Sequence, residues 1–294
     1  MTRRIPALLF VLALALGAGL AGSAAAATRA ISSNWAGYVV DSSALSVQQT
    51  SFSSVSGSWV QPAANCAQAQ GAGETSSAFW VGLVGNSDSS NALEQTGTES
   101  YCSGSGGARY SAWYELVPAS SVRIKLTVEP GDTISASVAV AGSKVTVQLA
   151  NVTRGTSFSK VLTMAAPDAG SAEWIAEAPS VCSSNNDCRE EALTDFGTVK
   201  FSNASATSNG HTGTISDPSW TATLIDLDAS AGGRGGYGGY GRYQPQVGSA
   251  QALPTALASK GSAFTVTWKN ITTTQPSGGY GYGGGYGYGY GGSY

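Results

Sequence analysis

The middle of the chain alternates apolar and polar residues with a period of two, which is typical of a β-strand with one buried face. The alternation is unbroken from Val122 to Glu129. A Pro130-Gly131-Asp132 turn follows. Two further alternating runs, Ile134–Val140 and Val145–Leu149, flank an Ala141-Gly142-Ser143 turn. This part of the chain therefore predicts an antiparallel meander.

Short strands recur along the rest of the chain between turns rich in Gly, Ser and Asn, and no long stretch shows a helical period. Further strands are predicted at Asn34–Val40, Ser56–Gln61, Ser77–Val84, Tyr110–Val117, Ala172–Glu177, Gly197–Ser202, Thr221–Asp226 and Phe264–Asn270. Many short strands at such spacing predict an all-β fold, an antiparallel β-sandwich, as one domain over residues 28–272.

The N-terminus has the pattern of a secretory signal peptide. Arg3 and Arg4 precede an apolar run, Ala7–Leu20, and a small-residue stretch, Ala21–Ala27. The apolar run is short and ends in alanines, which favours a cleaved signal over a membrane anchor. We therefore predict a signal peptide over residues 1–27 and a secreted, extracellular protein that does not associate with membranes.

Two glycine-rich stretches interrupt and follow the predicted domain. Residues 231–247 are rich in Gly, Arg and Tyr, and residues 273–294 consist largely of Gly and Tyr. Glycine has no side chain to bury and loses the most backbone entropy on ordering. We expect a flexible insert loop before the last strand and a disordered C-terminal tail.

Charge is scarce along the chain. Charged residues make up 11% of it and the formal net charge is −3, whereas a typical domain is about 25% charged. A slightly negative chain is not expected to bind nucleic acid. A chain with so few charges has few native ion pairs to lose when its carboxylates are protonated, so its stability should suffer little in acid. Composition alone equally fits an ordinary exported β-protein rich in Ser, Thr and Gly.

Four cysteines favour disulfides in an exported chain. Cys182 and Cys188 flank a turn-forming segment and are predicted to pair, which leaves Cys66 and Cys102 as the second bridge. With one histidine, His211, and no C-x-x-C motif, we expect no metal and no cofactor.

Several hydrolytic mechanisms lack their motifs in this sequence. His211 lies in a Ser-Asn-Gly-His-Thr-Gly turn with no G-x-S-x-G elbow, and no H-E-x-x-H or D-T-G motif occurs. Carboxylate chemistry remains. Glutamate is depleted in strands, so glutamates beside tryptophan in predicted strands call for a reason, whereas Glu129 is expected to be solvated.

Five segments, in order and with matching spacing, resemble the glutamic peptidase (eqolisin) family. They are Asn34-Trp35-Ala36-Gly37, Phe79-Trp80-Val81-Gly82-Leu83, Leu93-Glu94-Gln95-Thr96-Gly97, Ala112-Trp113-Tyr114-Glu115 and Ala172-Glu173-Trp174-Ile175-Ala176-Glu177. The resemblance implies a lectin-like sandwich of two bent sheets with a substrate cleft on its concave face. It also implies an endopeptidase whose partners are protein or peptide substrates.

The resemblance assigns roles to particular residues. Gln95 and Glu177 correspond to the catalytic pair, Trp35 and Trp80 to aromatic cleft positions, and Trp113 with Glu115 to a supporting group near the glutamine. Glu173 competes with Glu177, because alternation places both on one face of a strand. Two departures from the family pattern are Val84, where many relatives carry an acid, and Glu94, which alternation places on the face opposite Gln95.

The chemistry expected of such a pair is peptide hydrolysis in acid. An ionised Glu177 would take a proton from a water held between it and Gln95 and pass it to the leaving amine. The Gln95 amide would donate to the oxyanion, worth about 3 kcal/mol. The alternative is a non-catalytic sandwich that grips carbohydrate or polymer with exposed tryptophans, or an adhesin that acts through the tyrosine tail. A monomer is expected in each case.

Overall fold

The computed structural model describes residues 27–42, 51–69, 73–84, 92–165, 167, 169–182, 188–229 and 250–270. These ranges contain no α-helix and two short 3-10 helices, Cys66–Ala69 and Ser259–Gly261. Their strands are β1 (Thr28–Ser32), β2 (Trp35–Ser42), β3 (Phe52–Val60), β4 (Thr75–Val84), β5 (Leu93–Cys102), β6 (Ala108–Val117), β7 (Val122–Ile124), β8 (Thr133–Ala141), β9 (Lys144–Asn151), β10 (Thr156–Thr163), β11 (Ser171–Glu177), β12 (Ser180–Cys182), β13 (Cys188–Glu190), β14 (Ala192–Leu193), β15 (Thr198–Ser208), β16 (His211–Gly213), β17 (Trp220–Asp228), β18 (Ala250–Pro254) and β19 (Phe264–Asn270).

The strands form two packed sheets, so the predicted antiparallel sandwich is confirmed. In the first sheet β1, β17, β2, β11, β4, β5, β6 and β7 lie side by side in that order. In the second sheet the order is β10, β9, β8, β3, β15, β19 and β18. Because β18 also pairs with β17, hydrogen bonding runs from one sheet into the other through 17 strands.

Large side chains fill the space between the two sheets. Trp59, Phe79, Trp174, Phe201 and Phe264 are all fully buried there. Two of the indoles also bond across the sandwich. Trp59 on the second sheet donates to Thr98 Oγ1 on the first at 3.0 Å, and Trp174 on the first donates to the Ser56 carbonyl on the second at 2.8 Å. These bonds satisfy indole N–H groups that burial would otherwise leave unpaired.

The first sheet is apolar on its outer face as well. A second buried cluster lies there, on residues that alternate with those of the main core. We call this surface the site face. Its apolar members are Trp35, Val39, Ala78, Trp80, Leu93, Trp113, Ile175 and Ile225. A sheet that buries both faces explains why its central strands read as almost continuously buried.

Several strands, β1, β10 and β18 among them, were not predicted, and two differences concern the first sheet near Gln95. Only Val122–Ile124 of the alternating run pairs with a neighbour, β6. The backbone bends at Lys125, where the N–H of Leu126 donates to the Ile124 carbonyl at 2.9 Å, yet Leu126 and Val128 are both buried. The strand Leu93–Cys102 was missed, because its buried positions include Thr98 and Ser100 and its polar sequence hides the burial. Thr98 accepts a hydrogen bond from Trp59, and Ser100 accepts one from Gln61 at 2.9 Å.

The predicted Cys66–Cys102 disulfide is present. Cys182 lies opposite Cys188 in the β12–β13 hairpin, but their side chains fall outside the described residues and their pairing stays a prediction. The predicted signal peptide (except Ala27), the predicted insert loop and the predicted tail also lie outside the described residues. Within the described ranges no helix is both long and apolar enough to cross a membrane.

Replacing Trp174 by alanine should lower the free energy of unfolding by about 3–5 kcal/mol, because a fully buried indole and its bond to Ser56 are both lost. Urea unfolding followed by circular dichroism at pH 4 would measure the change. Val161→Ala, at a valine that is 61% exposed, should shift the midpoint little. An equal response of the two variants would contradict the core described above.

Candidate active site

Glu177 lies at the end of β11, a central strand that pairs with β2 on one side and β4 on the other. Its side chain follows Ile175 on the site face, two residues further along the strand. Two donors hold the carboxyl group. Trp80 Nε1 donates to Oε2 at 2.6 Å, and Asn34 Nδ2 donates to Oε1 at 3.3 Å. Each oxygen therefore has a fixed neighbour.

The two indoles beside Glu177 pack edge to face. The ring centroids of Trp35 and Trp80 are 5.1 Å apart, with an angle of 77° between the planes. Trp35 Nε1 makes no hydrogen bond of good geometry among the described residues, yet it lies near enough to Glu177 to favour the charged form and lower its pKa. The two indoles thus form an apolar wall beside Glu177, and Trp80 supplies the shorter of its two hydrogen bonds.

Gln95 lies on β5, on the same face as Leu93 and opposite Glu115 of β6. Its Nε2 donates to Glu115 Oε2 at 2.8 Å. This bond fixes which end of the amide is the nitrogen and leaves the second N–H of that nitrogen available. Burial raises the pKa of Glu115, while the hydrogen bond from Gln95 opposes the rise.

Two glycines in the segments that resemble the glutamic peptidases lie so close to neighbouring strands that no side chain fits there. A Cβ on Gly97 would lie 2.6 Å from the Cβ of Trp80 and 2.2 Å from the Phe79 carbonyl oxygen. Gly37 has φ +152°, and a Cβ there would lie 2.0 Å from the Trp174 carbonyl oxygen. Neither position accepts a side chain. Gly97 leaves room for the Trp80 side chain, and Gly37 lets β2 lie close to Trp174 of β11.

The structure brings Gln95 and Glu177 to one face of one sheet. On β4, which separates their strands, Gly82 is opposite Gln95 and Ala78 is opposite Glu177. Trp80 lies midway between these two positions. The carboxyl of Glu115, which holds Gln95, is close enough to Glu177 to raise its pKa. The predicted residues Trp35, Trp80, Trp113 and Glu115 line the same face.

Burial dominates the acidity of Glu177. Removal from water raises its pKa to about 8, and the nearby carboxyls of Glu115 and Glu190 push in the same direction. The indoles of Trp80 and Trp35 oppose the shift without cancelling it. The ligand-free site therefore holds a proton on Glu177 throughout the acidic range.

Glu173, the competing candidate, is sealed within the protein. It is 1% exposed, and Ser171 donates a hydrogen bond to its Oε1. Burial raises its pKa well above the usual range, and the charges of Glu94 and Asp41 add to the rise. Glu177 instead keeps partial exposure and bonds to Trp80 on the site face. The geometry thus favours Glu177 as the carboxyl that a ligand can reach.

Sequence reasoning missed two contributors to this region. Asn34 was part of a recognised segment but had no assigned role, and Glu190 was not noticed at all. Glu190 acts on Glu177 only because the β12–β13 hairpin folds back, which local pattern does not reveal. Glu94 lies on the face opposite Gln95 as predicted and is fully buried. The side chain of Val84 lies outside the description.

The described residues contain no group of three or more His, Cys, Asp or Glu side chains placed to hold a metal ion.

Residues 33–232 match the profile of the Peptidase A4 family. The chain is similar to Aspergillopepsin-2 of Aspergillus niger, with 29% identity over 219 residues that cover 67% of this chain and 71% of that protein. A solved aspergilloglutamic peptidase from the same organism is 29% identical and covers 66% of this chain and 99% of its own, with a TM-score of 0.50. Scytalido-glutamic peptidase bound to a transition state analog inhibitor is 24% identical, covers 81% of this chain and 98% of its own, and has a TM-score of 0.59. At 24% identity, this last similarity shows a shared fold and no more.

The buried carboxyls make the fold most stable in acid. A folded-state pKa above the unfolded value of about 4.3 means that the folded state binds more protons between the two values, so stability falls as pH rises. For Glu177 the loss should begin near pH 4.3 and continue toward about 8, at up to about 1.4 kcal/mol per pH unit. Melting temperatures from pH 3 to 8 should fall accordingly.

Glu173→Gln provides the matched comparison for that profile. The amide mimics the protonated acid, so this variant should lose less stability between acid and neutral pH than the wild type. The exposed Glu129→Gln serves as the control and should follow the wild-type curve. A melting temperature that rises toward neutral pH would contradict this account.

Proposed function

Because the chain belongs to the Peptidase A4 family and is a glutamic-type acid endopeptidase, we propose that Gln95 and Glu177 are its catalytic pair. The observation that carries the proposal is that the carboxyl of Glu177, oriented by Trp80 Nε1 at 2.6 Å, lies on the same face of the sheet as the Gln95 amide. Burial, which raises the pKa of Glu177 to about 8, supports it. A group that holds a proton in acid and a neutral amide donor are what acid hydrolysis of a peptide bond needs.

The hydrolysis proceeds by attack of one water on the substrate carbonyl carbon. The unprotonated oxygen of the Glu177 carboxyl takes a proton from the attacking water, while its protonated oxygen gives one to the carbonyl oxygen. The free N–H of Gln95 Nε2 donates to that same oxygen as charge develops on it. Collapse of the tetrahedral gem-diol breaks the C–N bond: one oxygen of Glu177 gives its proton to the leaving amine, and the other takes a proton from a diol hydroxyl. This leaves a carboxylic acid product and restores the protonated Glu177.

The raised pKa changes the starting state expected from sequence. The expected scheme began with an ionised Glu177 of ordinary acidity. With a pKa of about 8, the protonated carboxyl is the resting form in acid, and it accepts and donates a proton in the same step. Gln95 stays oriented throughout because Glu115 accepts its other N–H.

The tryptophans have a supporting role in this proposal. Trp80 orients the carboxyl through its 2.6 Å bond. Trp35 packs against Trp80, and Trp113 lies on the other side of Gly97 in the same row. Because these three side chains are almost fully buried, we assign them, with Glu115, to orienting Glu177 and Gln95 beneath the bound peptide, in place of the direct substrate contact expected from the sequence.

The carbohydrate-binding alternative depended on exposed tryptophans. Trp35, Trp80 and Trp113 are 3%, 0% and 9% exposed, so within the described residues they offer no flat aromatic platform to a sugar ring. The arrangement instead favours a group that orients a carboxyl. The peptidase function is therefore preferred over a binding module.

Export is part of the proposal. It is supported by the signal-like sequence of residues 1–27 and by the Cys66–Cys102 disulfide, since such bridges persist in oxidising compartments. We further propose one catalytic domain over residues 28–272, which acts as a monomer, and a tail over residues 273–294 that is dispensable for cleavage.

Digestion of an acid-denatured protein at pH 4 tests the catalytic pair. Glu177→Gln keeps the shape but can no longer exchange protons, so it should lose at least about 10³-fold in kcat. Gln95→Ala should lose about 10²–10³-fold, as for an oxyanion donor. Glu173→Gln and Glu129→Gln should stay within a few-fold of wild type. Activity that survives Glu177→Gln but not Glu173→Gln would contradict the proposal, because Glu173 would then be the catalytic glutamate.

The pH dependence of cleavage follows from the same proton. The protonated form of Glu177 is required, so kcat/KM should be high in acid and fall about tenfold per pH unit above the pKa of about 8. An internally quenched peptide assayed from pH 3 to 9 would give the profile. A rate that increases from acid to alkaline pH would rule out the mechanism.

A further inference from the structure

The dipeptide Ser33-Asn34 links two carboxyl groups, since Asn34 donates to Glu177 and Ser33 to Glu190. Ser32 Oγ accepts hydrogen bonds from the backbone N–H groups of Asn34 and Trp35 at 3.3 and 3.1 Å, and it donates to Asn34 Oδ1 at 3.1 Å. The amide oxygen of Asn34 is thereby turned to Ser32 and its nitrogen to Glu177. The Asn34 carbonyl also accepts from the backbone N–H of Ala178 at 2.8 Å.

The neighbouring Ser33 is anchored by a buried acid. Ser33 Oγ donates to Glu190 Oε1 at 2.6 Å. Glu190 is 6% exposed, and its second oxygen, Oε2, has no hydrogen-bond partner among the described residues. A carboxyl is seldom kept out of water with one oxygen unpaired, because burial without compensation is costly. Its position therefore calls for a role.

A hairpin brings Glu190 to this place. β12 begins three residues after Glu177, and β13 returns antiparallel so that Glu190 pairs with Ser180. The next backbone N–H, of Glu191, donates to the Pro179 carbonyl at 2.8 Å. The segment that follows the proposed catalytic glutamate thus folds back and places a second carboxyl beside it.

We propose that Glu190 is a positioning residue for hydrolysis: it anchors Ser33, and through the adjoining Asn34 it holds the Glu177 carboxyl in place. The inference rests on the role proposed above for Glu177. It adds a third carboxyl, beside those of Glu177 and Glu115, to the groups that set the working pH.

The electrostatics of the described residues agree with this arrangement. Two carboxyl groups raise the pKa of Glu177 from other strands, Glu115 from β6 and Glu190 from β13. Burial raises the pKa of Glu190 itself, and the hydrogen bond from Ser33 opposes that rise. Removing the charge at position 190 should therefore let Glu177 ionise more easily.

The test uses two substitutions at one position. Glu190→Gln keeps an acceptor for Ser33 but removes the charge. Its kcat/KM at pH 4 should stay within about twofold of wild type, while the midpoint of the alkaline decline moves to lower pH by on the order of one unit. Glu190→Ala also removes the anchor of Ser33, so kcat at pH 4 should fall about tenfold with KM unchanged.

Full-length protein, an internally quenched peptide and circular dichroism at each pH would provide the measurement, with Glu129→Gln as the control. Rates are compared only where the protein is folded, so that unfolding does not imitate the decline.

A Glu190→Gln profile that coincides with wild type, or moves to higher pH, overturns the inference. Equal kcat in the glutamine and alanine variants overturns the positioning role. Failure of the catalytic proposal is recognised separately, by a wild type that cleaves nothing or a Glu177→Gln variant that cleaves.

Discussion

The removal of one carboxyl group from bulk water is the constraint on which the site depends. Glu177 lies at the end of a central strand with indoles on one side and other acids nearby, and its pKa is raised to about 8. The Trp80 N–H, at 2.6 Å, keeps the group oriented without giving it a counter-charge. In the mechanism proposed above, this proton passes to the substrate carbonyl. Its presence throughout the acidic range follows from the position of this carboxyl in the fold.

The fold provides this position by burying both faces of one sheet. Trp59 and Trp174 join the first sheet to the second across the core, while Trp35, Trp80 and Trp113 cover the opposite face. Gly97 and Gly37 give the space that the indole and the crossing backbone occupy. Strands packed on both faces position Glu177 and Gln95, and such preorganisation is what the oxyanion role proposed for Gln95 requires.

Much of the fold and the pair on the site face could be predicted from the sequence. Alternation found the meander strands, because each has one face in the core. It missed Leu93–Cys102, where Thr98 and Ser100 are buried through hydrogen bonds rather than apolarity. It extended Val122–Glu129 too far, because alternating burial does not require a partner strand. Family-like segments indicated Gln95, Glu177 and Trp80, but the pKa of Glu177 and the contribution of Glu190 arise from contacts between distant segments that no local pattern encodes.

The central claim concerns the proton on Glu177 in the folded, ligand-free protein. Selective ¹³C labelling of glutamate carboxyl carbons, assigned by comparison with Glu177→Gln, would follow its titration by NMR. The account predicts that the resonance stays in its protonated position through the acidic range and titrates with a midpoint near 8. A midpoint near the ordinary value of about 4.3 would contradict it, because Glu177 would then be ionised over most of that range.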